Sequence, residues 1–113
     1  MPFIRLTTNR KLTLQQEIKI KEELGKLITI IPNKKEESLM IHMEDNQIMY
    51  FRGSDSSCMM MTVSLYNTAP LDAKQKFTEM VGKMIEEVAN IPMQDQYLSF
   101  TEYSNWGKNG ILF

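Results

Sequence analysis

The chain has 113 residues, 42% hydrophobic and 24% charged, with a net charge of −1, the balance of an ordinary globular domain. Near-neutrality gives no electrostatic footprint for nucleic acid or an anionic membrane, and no unbroken apolar run exceeds the four residues of Cys58 to Met61, far too short to span a bilayer. A single cysteine, Cys58, excludes an internal disulfide, a Cys-x-x-Cys redox pair and a cysteine-built zinc cluster, and Arg5, Arg10 and Lys11 interrupt any secretory apolar core, so a cytoplasmic, reducing setting is expected.

Residues 2–8 read as a strand with Pro2, Ile4 and Leu6 on one face and Phe3, Arg5 and Thr7 on the other. Thr13 followed by Gln16 is a capping-box pattern that starts a helix near Leu14. Its apolar stripe is read as Leu14, Ile18, Leu24, Leu27, Ile28 and Ile31, with Ile20 off the stripe, and Pro32 and Asn33 close it. Residues 38–44 alternate again, with Leu39, Ile41 and Met43 opposite Met40, His42 and Glu44. Gln47 to Arg52 reads as a short strand ended by the Gly53–Ser57 loop, and Cys58 to Tyr66 as a long one. Thr68, Pro70 and Asp72 suit the start of a second helix striped by Ala73, Phe77, Met80, Val81, Met84, Ile85 and Val88. Asn90 and Pro92 stop it, Tyr97 to Tyr103 forms a further strand, and residues 105–113 read as a turn with a short apolar end. The ten methionines are read as flexible core filler.

The order strand, helix, strand therefore occurs twice, in pseudo-repeats of about 2–50 and 58–103 within one domain spanning 1–113. Leu24-Gly25-Lys26-Leu27-Ile28 echoes Val81-Gly82-Lys83-Met84-Ile85. Each connection is long enough for a parallel β-α-β crossover. Two such units predict an α+β domain: a four-stranded sheet with two helices on one face. Apolar residues on both faces of the strands call for a cover on the second face, and another copy of the chain in closed cyclic symmetry is the simplest supplier.

The opening Met1-Pro2 carries a further implication. Removal of Met1 leaves a secondary amine at the start of an apolar strand. Desolvation there disfavours the charged form and lowers the pKa, making a neutral amine and a general base near pH 7. With Met1 in place the Pro2 nitrogen is an amide and has no such basicity. In the bland reading Pro2 simply begins a strand, where its missing N–H costs nothing.

The Met-Pro strand, the doubled β-α-β plan, Gln47-Ile48-Met49-Tyr50-Phe51-Arg52-Gly53-Ser54 before Cys58, and the tail Asn105-Trp106-Gly107-Lys108-Asn109-Gly110 with terminal Phe113 together resemble the tautomerase superfamily, in the branch containing macrophage migration inhibitory factor and D-dopachrome tautomerase. The resemblance covers essentially the whole chain. It implies a homotrimer with active sites at subunit interfaces, no metal and no organic cofactor, and a small α-keto acid substrate interconverted between keto and enol forms by Pro2. It places Lys34 on the substrate carboxylate, with Lys35 the neighbour that a one-residue shift would substitute. Tyr97 would enter the pocket from the neighbouring subunit, and Ser99, Tyr66, Ser64, Trp106 and Phe113 fall on pocket positions. Three positions depart from the family pattern. Met61 replaces the second cysteine of a dithiol, Tyr66 is bulkier than the usual aliphatic, and Lys108 stands where some relatives carry tryptophan. His42 reads as a structural residue. A non-catalytic trimeric binding or signalling protein, with an unidentified receptor and release without a signal peptide, is the alternative within the same fold.

Overall fold

The computed structural model describes all residues, 1–113. Four strands, β1 (Pro2–Thr8), β2 (Met40–Glu44), β3 (Met59–Tyr66) and β4 (Gln96–Tyr103), form one sheet in the order β2-β1-β3-β4. Helix α1 (Leu14–Leu27) joins β1 to β2 and helix α2 (Leu71–Ala89) joins β3 to β4. Both crossovers are parallel, and the two units meet antiparallel through β1 and β3. This is the α+β arrangement expected from the repeated order of elements.

Alternation decides which face is covered. Ile4, Leu6, Met59, Met61, Val63 and Leu65 are fully or almost fully buried and share one core with Ile20, Leu24, Ile28, Phe77, Val81 and Ile85 from the helices. The opposite face carries Phe3, Arg5, Met40, His42, Thr62, Ser64, Tyr97 and Ser99, none of them buried. There the Arg5 and Glu44 side chains pair at 2.6 Å.

α1 starts as its capping box dictates: Gln16 N–H donates to Thr13 Oγ1 and Thr13 N–H to Gln16 Oε1. Its buried stripe differs from the expected one. Ile20, Leu24, Ile28 and Ile31 are buried, whereas Leu14 and Ile18 are exposed. The end of the helix sets the phase. Ile20 lies one turn before Leu24, but Ile18 lies about 240° round from it, at the sheet edge beside Ile41 and Met43. Asn90 ends α2 in the left-handed region and donates its N–H to Glu86 C=O.

Strand starts shift and one strand is absent. Ser38 belongs to a 3-10 turn, so β2 begins at Met40, and β3 begins at Met59. Gln47–Arg52 is no strand. Its alternating pattern has no partner strand within this chain, and only a tight turn remains, with Phe51 and Ser54 exchanging both backbone hydrogen bonds across Arg52 and Gly53. The tail is more ordered than expected. β5 (Gly107–Lys108) and β6 (Ile111–Leu112) form a hairpin around Asn109 and Gly110.

The two halves superimpose on a constant offset of 57 residues, seen in the pairs Phe3–Met40 and Met60–Tyr97. The offset extends to the backbone. Asn33 and Asn90 both adopt positive φ, as do Arg52 and Asn109, and Gly53 and Gly110. The last two pairs are the central residues of two-residue hairpin turns, whose twist requires positive φ at both positions. Gly25 and Gly82 obey the same offset. A Cβ on either would press on the side chain that crosses the helix from the following connection, Glu36 in the first half and Met93 in the second.

Candidate active site

Because β1 and β3 run antiparallel, the start of β1 meets the ends of β3 and β4. Pro2 pairs with Leu65, which pairs with Glu102. Glu102 fixes this corner. It accepts from Ala69 N–H at 2.6 Å and from Lys74 Nζ at 3.1 Å. The Ala69 hydrogen bond, with Lys74 adding its charge, outweighs the cost of burial and holds the carboxyl below its usual range.

Two clefts meet at the N-terminus. The larger, about 740 Å³, is lined by Pro2, Phe3, Met40, Ser64, Tyr103, Trp106 and Lys108, together with Glu37, Ser38 and Asn105. The smaller, about 510 Å³, runs past Lys34 and Tyr66 along the 67–70 connection. Met1 lines both. Lys34 reaches this point because Asn33, at φ 66°, turns the chain back after α1, and its Nζ donates to the Tyr66 carbonyl at 3.1 Å. Lys35 is exposed and lines neither cleft.

The surroundings act on the terminal amine. Burial first, then the charge and hydrogen bond of Lys34, then the charge of Lys108, lower the Met1 amine from 8.0 to about 6. The Met1 amine is therefore mostly neutral at pH 7.

Six of the residues expected at the site gather around the terminus: Pro2, Lys34, Ser64, Tyr66, Trp106 and Phe113. The hairpin delivers the last two. Trp106 and Phe113 exchange backbone hydrogen bonds, the Phe113 ring packs edge-on to Tyr66 at 6.5 Å, and Trp106 packs edge-on to Tyr103 at 5.9 Å. Tyr97 and Ser99 lie elsewhere in the chain. Tyr97 pairs with Met60, five residues along β3 from the partner of Pro2, roughly 17 Å away at strand rise. Tyr97 is 62% exposed, and its ring packs on Phe51.

Sequence reasoning had not assigned Phe3, Met40 and Tyr103 to the cleft. Tyr103 ends the outward-facing series Tyr97, Ser99, Thr101, and only the antiparallel centre of the sheet shows that this end of β4 lies beside Pro2.

The profile of the macrophage migration inhibitory factor (MIF) family matches residues 1–113. The chain belongs to the MIF family. MIF homologues are members of the tautomerase superfamily. Among solved structures, MIF2 of Leishmania major is 20% identical, with a TM-score of 0.92 over 100% of this chain and 97% of its own. The MIF-like protein of Entamoeba histolytica is 19% identical, with a TM-score of 0.87 over 99% and 98%. Pt0534, in a structure inactivated by 2-oxo-3-pentynoate, is 13% identical, with a TM-score of 0.82 over 96% and 93%. At these identities the likeness establishes the MIF fold. No curated protein sequence matches the chain.

Proposed function

We propose that this MIF-family protein, in the form that begins at Pro2, is a cofactor-independent keto–enol tautomerase of α-keto acids of the phenylpyruvate type. The observation that carries this reading is the terminus itself: the chain starts between two clefts, at a point where burial and two lysines lower the pKa of the Met1 amine. The inactivation of the structural relative Pt0534 by a 2-oxo acid agrees with it.

The chemistry follows from the positions. The Pro2 nitrogen takes a proton from the carbon beside the ketone. The C–H electron pair becomes the new C=C bond, and the carbonyl π pair moves onto oxygen, which takes up a proton. The reverse sequence returns the keto form. Lys34 holds the substrate carboxylate and offsets the negative charge that builds on the neighbouring oxygen. Ser64, Tyr66, Trp106 and Phe113 shape the walls.

The protein acts as a homotrimer in this reading. Tyr97 and Ser99, remote from Pro2 in their own chain, then complete the site of a neighbour. Ile48 and Tyr50, 92% and 74% exposed, find cover in the assembly, and Gln47–Arg52 finds the strand partner that its alternating sequence calls for.

The test is ketonisation of enol-phenylpyruvate, followed by ultraviolet absorbance, on protein shown by intact mass to begin at Pro2. Turnover is expected, and Pro2→Gly should lower it by roughly 100-fold or more, the usual worth of a general base. Absence of turnover from a correctly trimmed trimer would refute the reading and favour a binding protein that keeps the pocket.

A further inference from the structure

The larger cleft has a chemical asymmetry that a simple aryl keto acid leaves unused. Phe3, Met40, Tyr103 and Trp106 give it apolar walls, and Lys108 also lines it. Lys108 makes no ion pair, and neither does Lys34 on the other side of the terminus. Glu37, the one acidic group on this cleft, is also unpaired. The counterpart of Lys108 in the other half of the chain is Phe51, which packs on Tyr97. Its neighbour Arg52 is neutralised by Asp95. Only at the Pro2 end does this turn present an uncompensated cation to an open cleft.

We propose that the natural ligand is a dianion: a 2-oxo acid with an aromatic-sized apolar body and a second carboxylate at its far end. This rests on the tautomerase reading for the placement of the first carboxylate on Lys34. The body fills the space among Phe3, Met40, Tyr103 and Trp106, and the second carboxylate meets Lys108. A monoanionic aryl substrate leaves Lys108 without a partner. Glu37, on the same cleft, repels a second carboxylate and keeps its affinity moderate, so Glu37→Gln should strengthen the preference.

Trp106 is the only tryptophan in the chain and lines the cleft, so its fluorescence reports binding independently of turnover. The experiment titrates protein trimmed to Pro2 with 3-(4-carboxyphenyl)-2-oxopropanoate and with phenylpyruvate, and measures kcat/KM for both. The dianion should bind roughly two- to fivefold more tightly, the worth of one exposed charged contact, and this preference should shrink as salt is raised. Lys108→Met should bring the ratio close to one and Lys108→Glu should invert it, whereas Lys76→Met, an equal charge change on the outer surface of α2, should leave it intact. Equal affinities, or a preference that survives Lys108→Met, would overturn the proposal. Phenylpyruvate turnover without a dianion preference removes only this inference. A Lys108-dependent preference in binding without turnover of either compound supports the ligand class and removes the tautomerase.

Discussion

Where β4 begins, Phe51 packs edge-on to Tyr97 at 4.8 Å and Arg52 pairs with Asp95. Where β2 begins, beside the start of β1, the equivalent positions are Lys108, Met40, Asn109 and Ser38, and Lys108, Met40 and Ser38 line a cleft. Backbone geometry is not the cause, since the two turns share their positive φ values to within a few degrees. The strand starts differ in the same sense. Met59, the equivalent of Pro2, is buried, and Cys58 before it is tied down by Asn9 and Thr8, its N–H donating to Asn9 Oδ1 and its carbonyl accepting from Thr8 Oγ1. Burial raises the Cys58 thiol pKa and keeps it protonated. Ile91, the equivalent of Lys34, is buried in the core. One scaffold used twice yields one closed corner and one open corner, and the difference is a handful of side chains together with the chain terminus.

That contrast suggests experiments in order of expected effect. The largest is retention of Met1, which turns the Pro2 nitrogen into an amide. Untrimmed protein, verified by intact mass, should show at least about 100-fold less tautomerase turnover than trimmed protein. Next is the Lys34→Ala variant, which makes the open corner apolar at this position, like its counterpart. KM for phenylpyruvate should rise roughly tenfold through loss of the carboxylate contact. The pH profile should move as well. A base works only when unprotonated, so kcat/KM rises with pH through the amine pKa and then levels. Lys34 is one of the groups that lower the pKa of a terminal amine here, so removing it should shift the rise to higher pH. The smallest effect concerns the closed corner. Phe51→Ala should cost about 1–2 kcal/mol in chemical denaturation, because the ring is only partly covered, and should raise no new keto acid turnover, since no amine lies there.

Much of this was readable in the sequence where the signal is local. Thr13 and Gln16 specify a helix start through two hydrogen bonds three residues apart, and alternation in residues 2–8 and 58–66 fixes which side chains are buried whichever strands lie alongside. The repeated order of elements carried the topology. Signals that depend on distant partners were weaker. The Ile18 and Ile20 stripes are both acceptable to an isolated helix, and only docking against α2 and the sheet selects the second. Gln47–Arg52 has a strand's pattern without a strand's partner in the same chain. At the site, Pro2 and Lys34 were legible by resemblance, whereas Tyr103 and Met40 enter the cleft only through the antiparallel centre of the sheet. Lys108 was visible as a departure, and its lack of a counter-charge is a property of the fold.

The antiparallel centre has one more practical result. It brings the first and last residues to the same corner, with Met1 lining both clefts and Phe113 leaning on Tyr66 beside Lys34. An affinity tag on the amino end would block the amine outright, and one on the carboxyl end would stand at the doorway. Labels, fusions and immobilisation linkers belong instead on the solvent side of α2, through an introduced cysteine at a position such as the exposed Lys76, which lines neither cleft.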